Sequence, residues 1–278
     1  MRRDLSLQGK YQAIAAYSGI AVTVVGAAMI VPLVVLAAWP HEWPIAGGLA
    51  GLGATTVLLG LVVYRKLRPL HTLLSVREGG VLVVVSWGLA CLLGAIPFMC
   101  LGGLTFTGAV FESVSGWTTT GLSVVDVTTA SKTILLFRSI IQLVGGAGFA
   151  VLMVATLIGP AGTAVTGAEG RTDQLVPHVR KSAKLVLTLY AVYGVLITGL
   201  YAVFGMTLFD AVNHACAAVS TGGFSTRPES IGHWNSPALE AVSILGMLLG
   251  QTSFVTAYLA ATGNFKAAVR DGEVQYTA

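Results

Sequence analysis

Six stretches of this chain are apolar for long enough, or nearly so, to cross a bilayer as helices. They run approximately over residues 13–39, 47–64, 81–101, 133–159, 185–205 and 237–261, where about 20 residues are needed for about 30 Å of hydrocarbon. A water-soluble fold cannot hide so many. Only 10% of the 278 residues are charged and 55% are hydrophobic, while soluble domains carry about 25% charge, so the charge present cannot cover a water-facing surface. The first run, Ile14 to Ala38, is far longer than the ~7–15 residues of a secretory signal's apolar core, which predicts a retained helix. Glycine, at 34 of 278 positions, exceeds the average of about 7% and suits closely packed transmembrane helices. The expectation is an all-α, multi-pass membrane protein.

The basic residues give the orientation. Loops 1–12, 65–80, 160–184 and 262–278 fall on one side and hold Arg2, Arg3, Lys10, Arg65, Lys66, Arg68, Arg77, Arg171, Arg180, Lys181, Lys184, Lys266 and Arg270. That is 13 of the 16 Lys and Arg; only Lys132, Arg138 and Arg227 lie elsewhere. The positive-inside bias places both termini in the cytoplasm of a cell (plasma or inner) membrane. The same clustering explains the net charge of +4 without nucleic acid, since no basic stripe with interleaved aromatics is present. Cys91, Cys100 and Cys216 have neither metal-ligand spacing nor an even-numbered framework. Cys91 and Cys100 sit nine residues apart, on opposite faces of a helix, so all three are expected to be unbridged packing residues.

Two segments break the simple count of spans. Phe106 to Trp117 and Thr207 to Val219 are apolar for only about a dozen residues, which suits re-entrant pieces rather than spans. Each runs into a hydroxyl-and-glycine string: Thr118-Thr119-Thr120-Gly121-Leu122-Ser123 and Ser220-Thr221-Gly222-Gly223-Phe224-Ser225. A shift of 102 residues superposes them, matching Ala109-Val110 with Ala211-Val212, Thr119 with Thr221, Gly121 with Gly223, Leu122 with Phe224 and Ser123 with Ser225. Further upstream, Val84 falls on Val186 and Ser86 on Thr188. A unit of helix, re-entrant helix, string and helix thus occurs twice in parallel. The predicted organisation is a transmembrane hairpin over 1–75, a first pore unit over 76–160, a cytoplasmic loop over 161–184, a second pore unit over 185–265 and a cytoplasmic tail over 266–278. Transporters commonly place the substrate path at the interface of such repeats.

Non-helical backbone at membrane depth is tolerated only where protein buries it or a watery cavity borders it. A short helix that stops at a Thr/Gly string therefore implies a pore lining, with backbone carbonyls replacing the hydration shell of a passing cation. Glycine supplies the positive φ that such a backbone needs without the cost of a Cβ, and the helix C-terminus ahead of the string favours positive charge. One string alone would read more readily as a surface turn; two at matching places in a repeat argue for the pore.

Phe111-Glu112-Ser113-Val114-Ser115-Gly116-Trp117-Thr118-Thr119-Thr120-Gly121 resembles the first pore loop of the Trk/Ktr/HKT potassium transporter superfamily. Gly205 to His214 followed by Ser220 to Thr226 resembles the second, and Arg138-Ser139 with Gln142 and Gly145-Gly146 is similar to the family's first outer helix. The resemblance covers nearly the whole chain and lies closest to the Trk branch. It implies four helix–pore-helix–helix (M1–P–M2) repeats around one K⁺ pathway, assembly as a homodimer, and a cytoplasmic nucleotide-binding regulatory subunit. The filter carries over as Thr119, Thr120, Gly121 and Leu122 in the first repeat and Thr221, Gly222, Gly223 and Phe224 in the second. K⁺ is then ligated by backbone carbonyls of Thr120, Gly121, Gly222 and Gly223, supported by Thr118, Ser220 and Glu112. No cofactor is expected in this chain. Two repeats supply half of a ring, so the sequence is expected to be the N-terminal half of a longer chain.

Several side chains admit two roles. Glu112 either raises cation concentration near the mouth or holds the filter by a hydrogen bond. Asp210 is expected to be the N-cap of the second short helix, and Arg138 a structural anchor that snorkels to the interface. His214 is expected to be a hydrogen-bonded packing residue. Gly145, Gly146 and Gly148, with the pairs Gly47/Gly51 and Gly246/Gly250, are candidate small-residue helix contacts. Gly222 aligns with Thr120, so Gly222→Ala is expected to be milder than Gly223→Ala. An enzyme is disfavoured: His41-Glu42-Trp43-Pro44 lacks the second His of a zinc helix, and no nucleophile elbow is present. A non-conducting structural subunit is the remaining alternative.

Overall fold

The structure, a computed structural model, describes residues 7–67, 76–148 and 179–252. All regular structure among them is helical. Helix α1 (Leu7–Ile30) continues through two 3-10 segments, Val31–Ala37 and Pro40–Glu42, into α2 (Trp43–Lys66). Then come α3 (Val76–Cys100), α4 (Phe106–Trp117), α5 (Lys132–Gly146), α6 (Val179–Val203), α7 (Leu208–Val219) and α8 (Pro237–Gln251). Among the described residues, four helical stretches are long and apolar enough to span a membrane: Gly9–Ala37, Pro40–Lys66, Glu78–Cys100 and Val186–Val203. The predicted fourth and sixth spans begin as α5 and α8; their remainders at 149–159 and 253–261 lie outside the described residues. So do 161–178 of the expected cytoplasmic loop and the tail at 266–278. The three cysteines are free thiols.

Helices α1 and α2 form an antiparallel hairpin whose backbones approach at two glycine pairs. A Cβ on Gly26 would sit 2.6 Å from the Gly53 carbonyl oxygen, and one on Gly19 would sit 2.7 Å from that of Gly60. Contact this close is what small residues give membrane helices. The expected Gly47/Gly51 contact is not made: a Cβ on Gly51 would meet nothing within 4 Å, and the nearest atoms to one on Gly47 belong to the Trp43 ring of its own helix, at 3.6 Å. A spacing of four places two glycines on one helix face, but it does not say whether another helix lies opposite.

The two pore units repeat in detail. Helices α4 and α7 each have 12 residues, and each is capped by a threonine 102 residues from its counterpart, Thr105 and Thr207. The cap hydroxyls accept from the backbone N–H three residues on, at 3.3 and 3.2 Å. The outer helices α5 and α8 start at Lys132 and Pro237, a shift of 105, so the second unit has three extra residues between string and outer helix. With that shift the packing matches. A Cβ on Gly145 would strike the carbonyl oxygen of Trp117, and one on Gly250 that of Val219. Elsewhere the small partner changes sides: Gly116 on α4 faces Ile141 on α5, while Gly246 on α8 faces Ala218 on α7.

Candidate ion-filter site

The strings begin as helix C-caps. After α4, the Thr119 N–H donates to the Gly116 carbonyl at 3.2 Å and the Thr120 N–H to that of Ser115 at 2.9 Å. After α7, Thr221 donates to Ala218 at 3.0 Å and Gly222 to Ala217 at 2.8 Å. This double bond pattern is a Schellman motif, which requires a left-handed residue just past the helix. That residue is Thr119 (φ 55°) in one string and Thr221 (φ 53°) in the other. Two residues on, Gly121 (φ 82°) and Gly223 (φ 84°) are again left-handed, while Thr120 and Gly222 between them are not. Glycine at 121 and 223 fits the expectation; left-handed threonine, an outlier for a β-branched residue, was not foreseen. Alternating handedness is the backbone condition for a row of carbonyl oxygens along one side of an extended chain.

The strings lie side by side. A Cβ on Gly121 would collide with the Gly222 carbonyl oxygen and stand 3.3 Å from Gly223 Cα. Thr118 Oγ1 is 2.8 Å from Thr120 Oγ1 and donates to the Val114 carbonyl at 2.7 Å, while Ser220 Oγ donates to that of Ala217 at 3.3 Å. Both supporting hydroxyls therefore tie the string to the helix before it. Leu122 is 63% exposed, whereas its counterpart Phe224 is 2% exposed. Phe224 is covered by Arg138 and Gln142 of α5.

Glu112 is fully buried and takes the hydrogen-bonding role. Its Oε1 accepts from Ser123 Oγ at 3.0 Å and from Arg138 Nε at 2.7 Å, and its Oε2 accepts from the Val124 N–H at 2.9 Å. With its oxygens committed to holding the turn after the first string, it is not a free attractor of cations. Arg138 corrects the sequence reading. It does not snorkel; it is 2% exposed and turns inward to Glu112, because a buried guanidinium needs a counter-charge and acceptors. It also donates to Ser123 Oγ at 2.7 Å and to the Ser225 carbonyl at 3.2 Å, with its Cζ 4.2 Å from the Phe224 ring centroid. One side chain thus ties the two strings together.

In the second unit His214 occupies the place of Glu112, 102 residues on, and holds Ser225 as Glu112 holds Ser123. Its Nδ1 lies 2.8 Å from the Asp210 carbonyl, which can only accept, so Nδ1 carries the proton. Nε2 then accepts from Ser225 Oγ at 3.0 Å, and Ser225 Oγ accepts from the Arg227 N–H at 2.9 Å. Asp210 is not the N-cap: Thr207 is. Asp210 sits three residues further on, where its carboxylate accepts from Thr207, Thr226 and Arg227 at 2.9, 2.6 and 2.8 Å. A threonine just before the first helical residue competes for the cap and wins, and the acid is left free to fasten the loop beyond the string.

Sequence reasoning assigned no role to Ser123, Ser225 or Arg227, nor to the buried pair of Ser139 and Asn213, 2.6 Å apart between α5 and α7. The shift of 102 that pairs Ser123 with Ser225 also pairs Glu112 with His214, and it was the available signal for the shared task. Glu42, considered as a zinc-motif residue, instead caps α5. It accepts from the Lys132 N–H at 2.6 Å and from the Thr133 N–H and hydroxyl at 2.8 and 2.6 Å.

A family model described as "Cation transport protein" (TrkH) matches residues 53–265. The chain is similar to the Trk system potassium uptake protein TrkG of Escherichia coli (strain K12), 34% identical over 213 residues, covering 73% of this chain and 44% of that protein. It is 35% identical over 214 residues to the Trk system potassium uptake protein TrkH of Halomonas elongata, covering 74% of this chain and 44% of that one. The crystal structure of the potassium transporter TrkH from Vibrio parahaemolyticus has a TM-score of 0.77 and 27% sequence identity, covering 91% of this chain and 53% of that chain. The chain thus spans about half the length of the relatives it matches. With the family model matching more than half of its residues, this chain belongs to the TrkH family of cation transport proteins.

Proposed function

We propose that this chain supplies two quarters of a K⁺ uptake pathway across the cell membrane, with Thr119 to Leu122 and Thr221 to Phe224 as filter strings. The observation that carries the reading is the matched alternation of backbone handedness, positive φ at Thr119 and Gly121 and again at Thr221 and Gly223. Carbonyls of Thr120, Gly121, Gly222 and Gly223 ligate the ion, whose dehydration they offset. Thr118, Ser220 and Glu112 support the strings. The hairpin over 1–75, the pore units over 76–160 and 185–265, and cytoplasmic segments at 161–184 and 266–278 complete the layout, with both ends of the 278 residues in the cytoplasm. The exposed Leu122, against the covered Phe224, supports further pore units around the first string. A homodimer and a cytoplasmic nucleotide-binding subunit are the assembly partners, an assignment that rests on family resemblance. The test is ⁸⁶Rb⁺ or K⁺ flux in vesicles reconstituted with the assembly containing this chain, purified from its own membrane. Selective K⁺ flux is expected; its absence at normal protein levels would leave the scaffold reading.

A further inference from the structure

Gln142 is a polar side chain where a membrane-embedded helix contact calls for an apolar one. It lies on α5, one turn beyond Arg138, and is fully buried. Its Oε1 accepts from the backbone N–H of Phe224 at 3.2 Å, which fixes the orientation of the amide, since that partner can only donate. Its Nε2 is buried and has no hydrogen-bond partner among the described residues. An unpaired buried donor is unfavourable, and a leucine of similar size would remove it only by leaving the Phe224 N–H without its acceptor. What the amide alone provides is an acceptor for the second string. The same amide is the wall behind Gly222: a Cβ there would lie 2.6 Å from Cδ and 2.7 Å from both Nε2 and Oε1.

We infer that Gln142 is a specificity-determining positioning residue, which sets the second filter string by holding the Phe224 N–H and backing Gly222. It touches the string's backbone and not the ion's path, so it acts through the placement of the Gly222 and Gly223 carbonyls. Arg138 holds the Ser225 carbonyl, two residues beyond Gly223, from the same helix face. The first unit's outer helix thereby becomes the template on which the second unit's string is laid. The inference rests on the filter reading proposed above.

The experiment compares Gln142→Leu, Gln142→Glu and Gly222→Ala in the assembly that contains this chain, purified from its own membrane. K⁺/Na⁺ permeability ratios in vesicles and thermal unfolding are measured on the same preparations. Gln142→Leu should lower the ratio about five- to tenfold, the equivalent of one neutral hydrogen bond, while Tm changes little, because the unpaired Nε2 donor is removed as the buried Phe224 N–H loses its acceptor. Gln142→Glu keeps an acceptor oxygen for Phe224 and should retain most of the selectivity. Gly222→Ala leaves Gln142 in place but displaces its amide, so it should lose selectivity as Gln142→Leu does; it supplies the answer if the leucine variant does not accumulate. A fall in Tm with an unchanged ratio, for Gln142→Leu or for Gly222→Ala, would make Gln142 a packing residue and overturn the inference. Failure of the unsubstituted assembly to pass K⁺ would instead sink the filter reading itself.

Discussion

Gly121 and Gly223 have nearly equal φ, 82° and 84°, but different surroundings, and this separates the effects of a methyl group at each. Both substitutions hold a side chain in a sparsely populated conformation at about 1–3 kcal/mol. At Gly121 the methyl also meets the Gly222 carbonyl, while at Gly223 it finds only Gly121 Cα, at 3.9 Å. Gly121→Ala should therefore reduce K⁺/Na⁺ selectivity more than Gly223→Ala, read as permeability ratios at matched protein levels; the opposite order would remove the Gly121–Gly222 contact from the filter. Gly222→Ala adds no positive-φ strain, unlike Gly223→Ala, and its Cβ meets the movable amide end of Gln142, so it remains the expected milder change of the two. The Glu112–Arg138 pair gives a second test at this scale. Burying two opposite charges is not by itself stabilising, but removing one partner costs about 3–5 kcal/mol. Glu112→Gln should lower Tm sharply, and adding Arg138→Met should recover part of the loss. Additive losses would show that the two side chains are not coupled.

At the scale of the element, α5 joins parts that the linear sequence keeps apart. Its start is capped by Glu42 from the hairpin, its middle holds Glu112 and the second string, and its end packs Gly145 on Trp117 and Gly146 on Ser220. Tyr190 of α6 donates to the Gly146 carbonyl at 2.7 Å. The carboxylate of Glu42 satisfies two N–H groups that the helix leaves open and faces the positive end of its dipole. Glu42→Ala should cost about 1–2 kcal/mol, seen as a lower Tm and faster hydrogen exchange at Lys132 and Thr133, with α7 exchange unchanged. Protection that persists at those two amides would mean that Ser131, the local cap at 3.2 Å from the Ile134 N–H, suffices alone. The existence and lengths of α4 and α7 were legible in the sequence from their short apolar runs and following strings. The Glu42 cap was not, because it joins positions 91 residues apart and no local pattern encodes such a partner.

For the whole molecule, the 13-to-3 partition of basic residues makes the orientation testable. In a background with Cys91, Cys100 and Cys216 replaced by alanine, a membrane-impermeant thiol reagent added outside should label a cysteine at 229 and miss one at 171. The reverse pattern would invert the topology, and labelling of both would change the number of spans. Apolar runs and the repeat at 102 residues determined that the chain is helical, multi-pass and carries two like-built short helices followed by Thr/Gly strings, since hydrophobicity and covalent spacing belong to the sequence itself. Glycine at 121 and 223 was legible for the same reason: a positive φ is a local property of one residue. What faces that backbone was left to tertiary structure. Arg138 turning inward to Glu112 and Gln142 standing behind Gly222 depend on which helix lies opposite, and His214 in the place of Glu112 on where the chain returns after the string. Buried polar groups take whatever partners the packing brings within hydrogen-bond reach, and that choice is made only when α5 settles between the two strings.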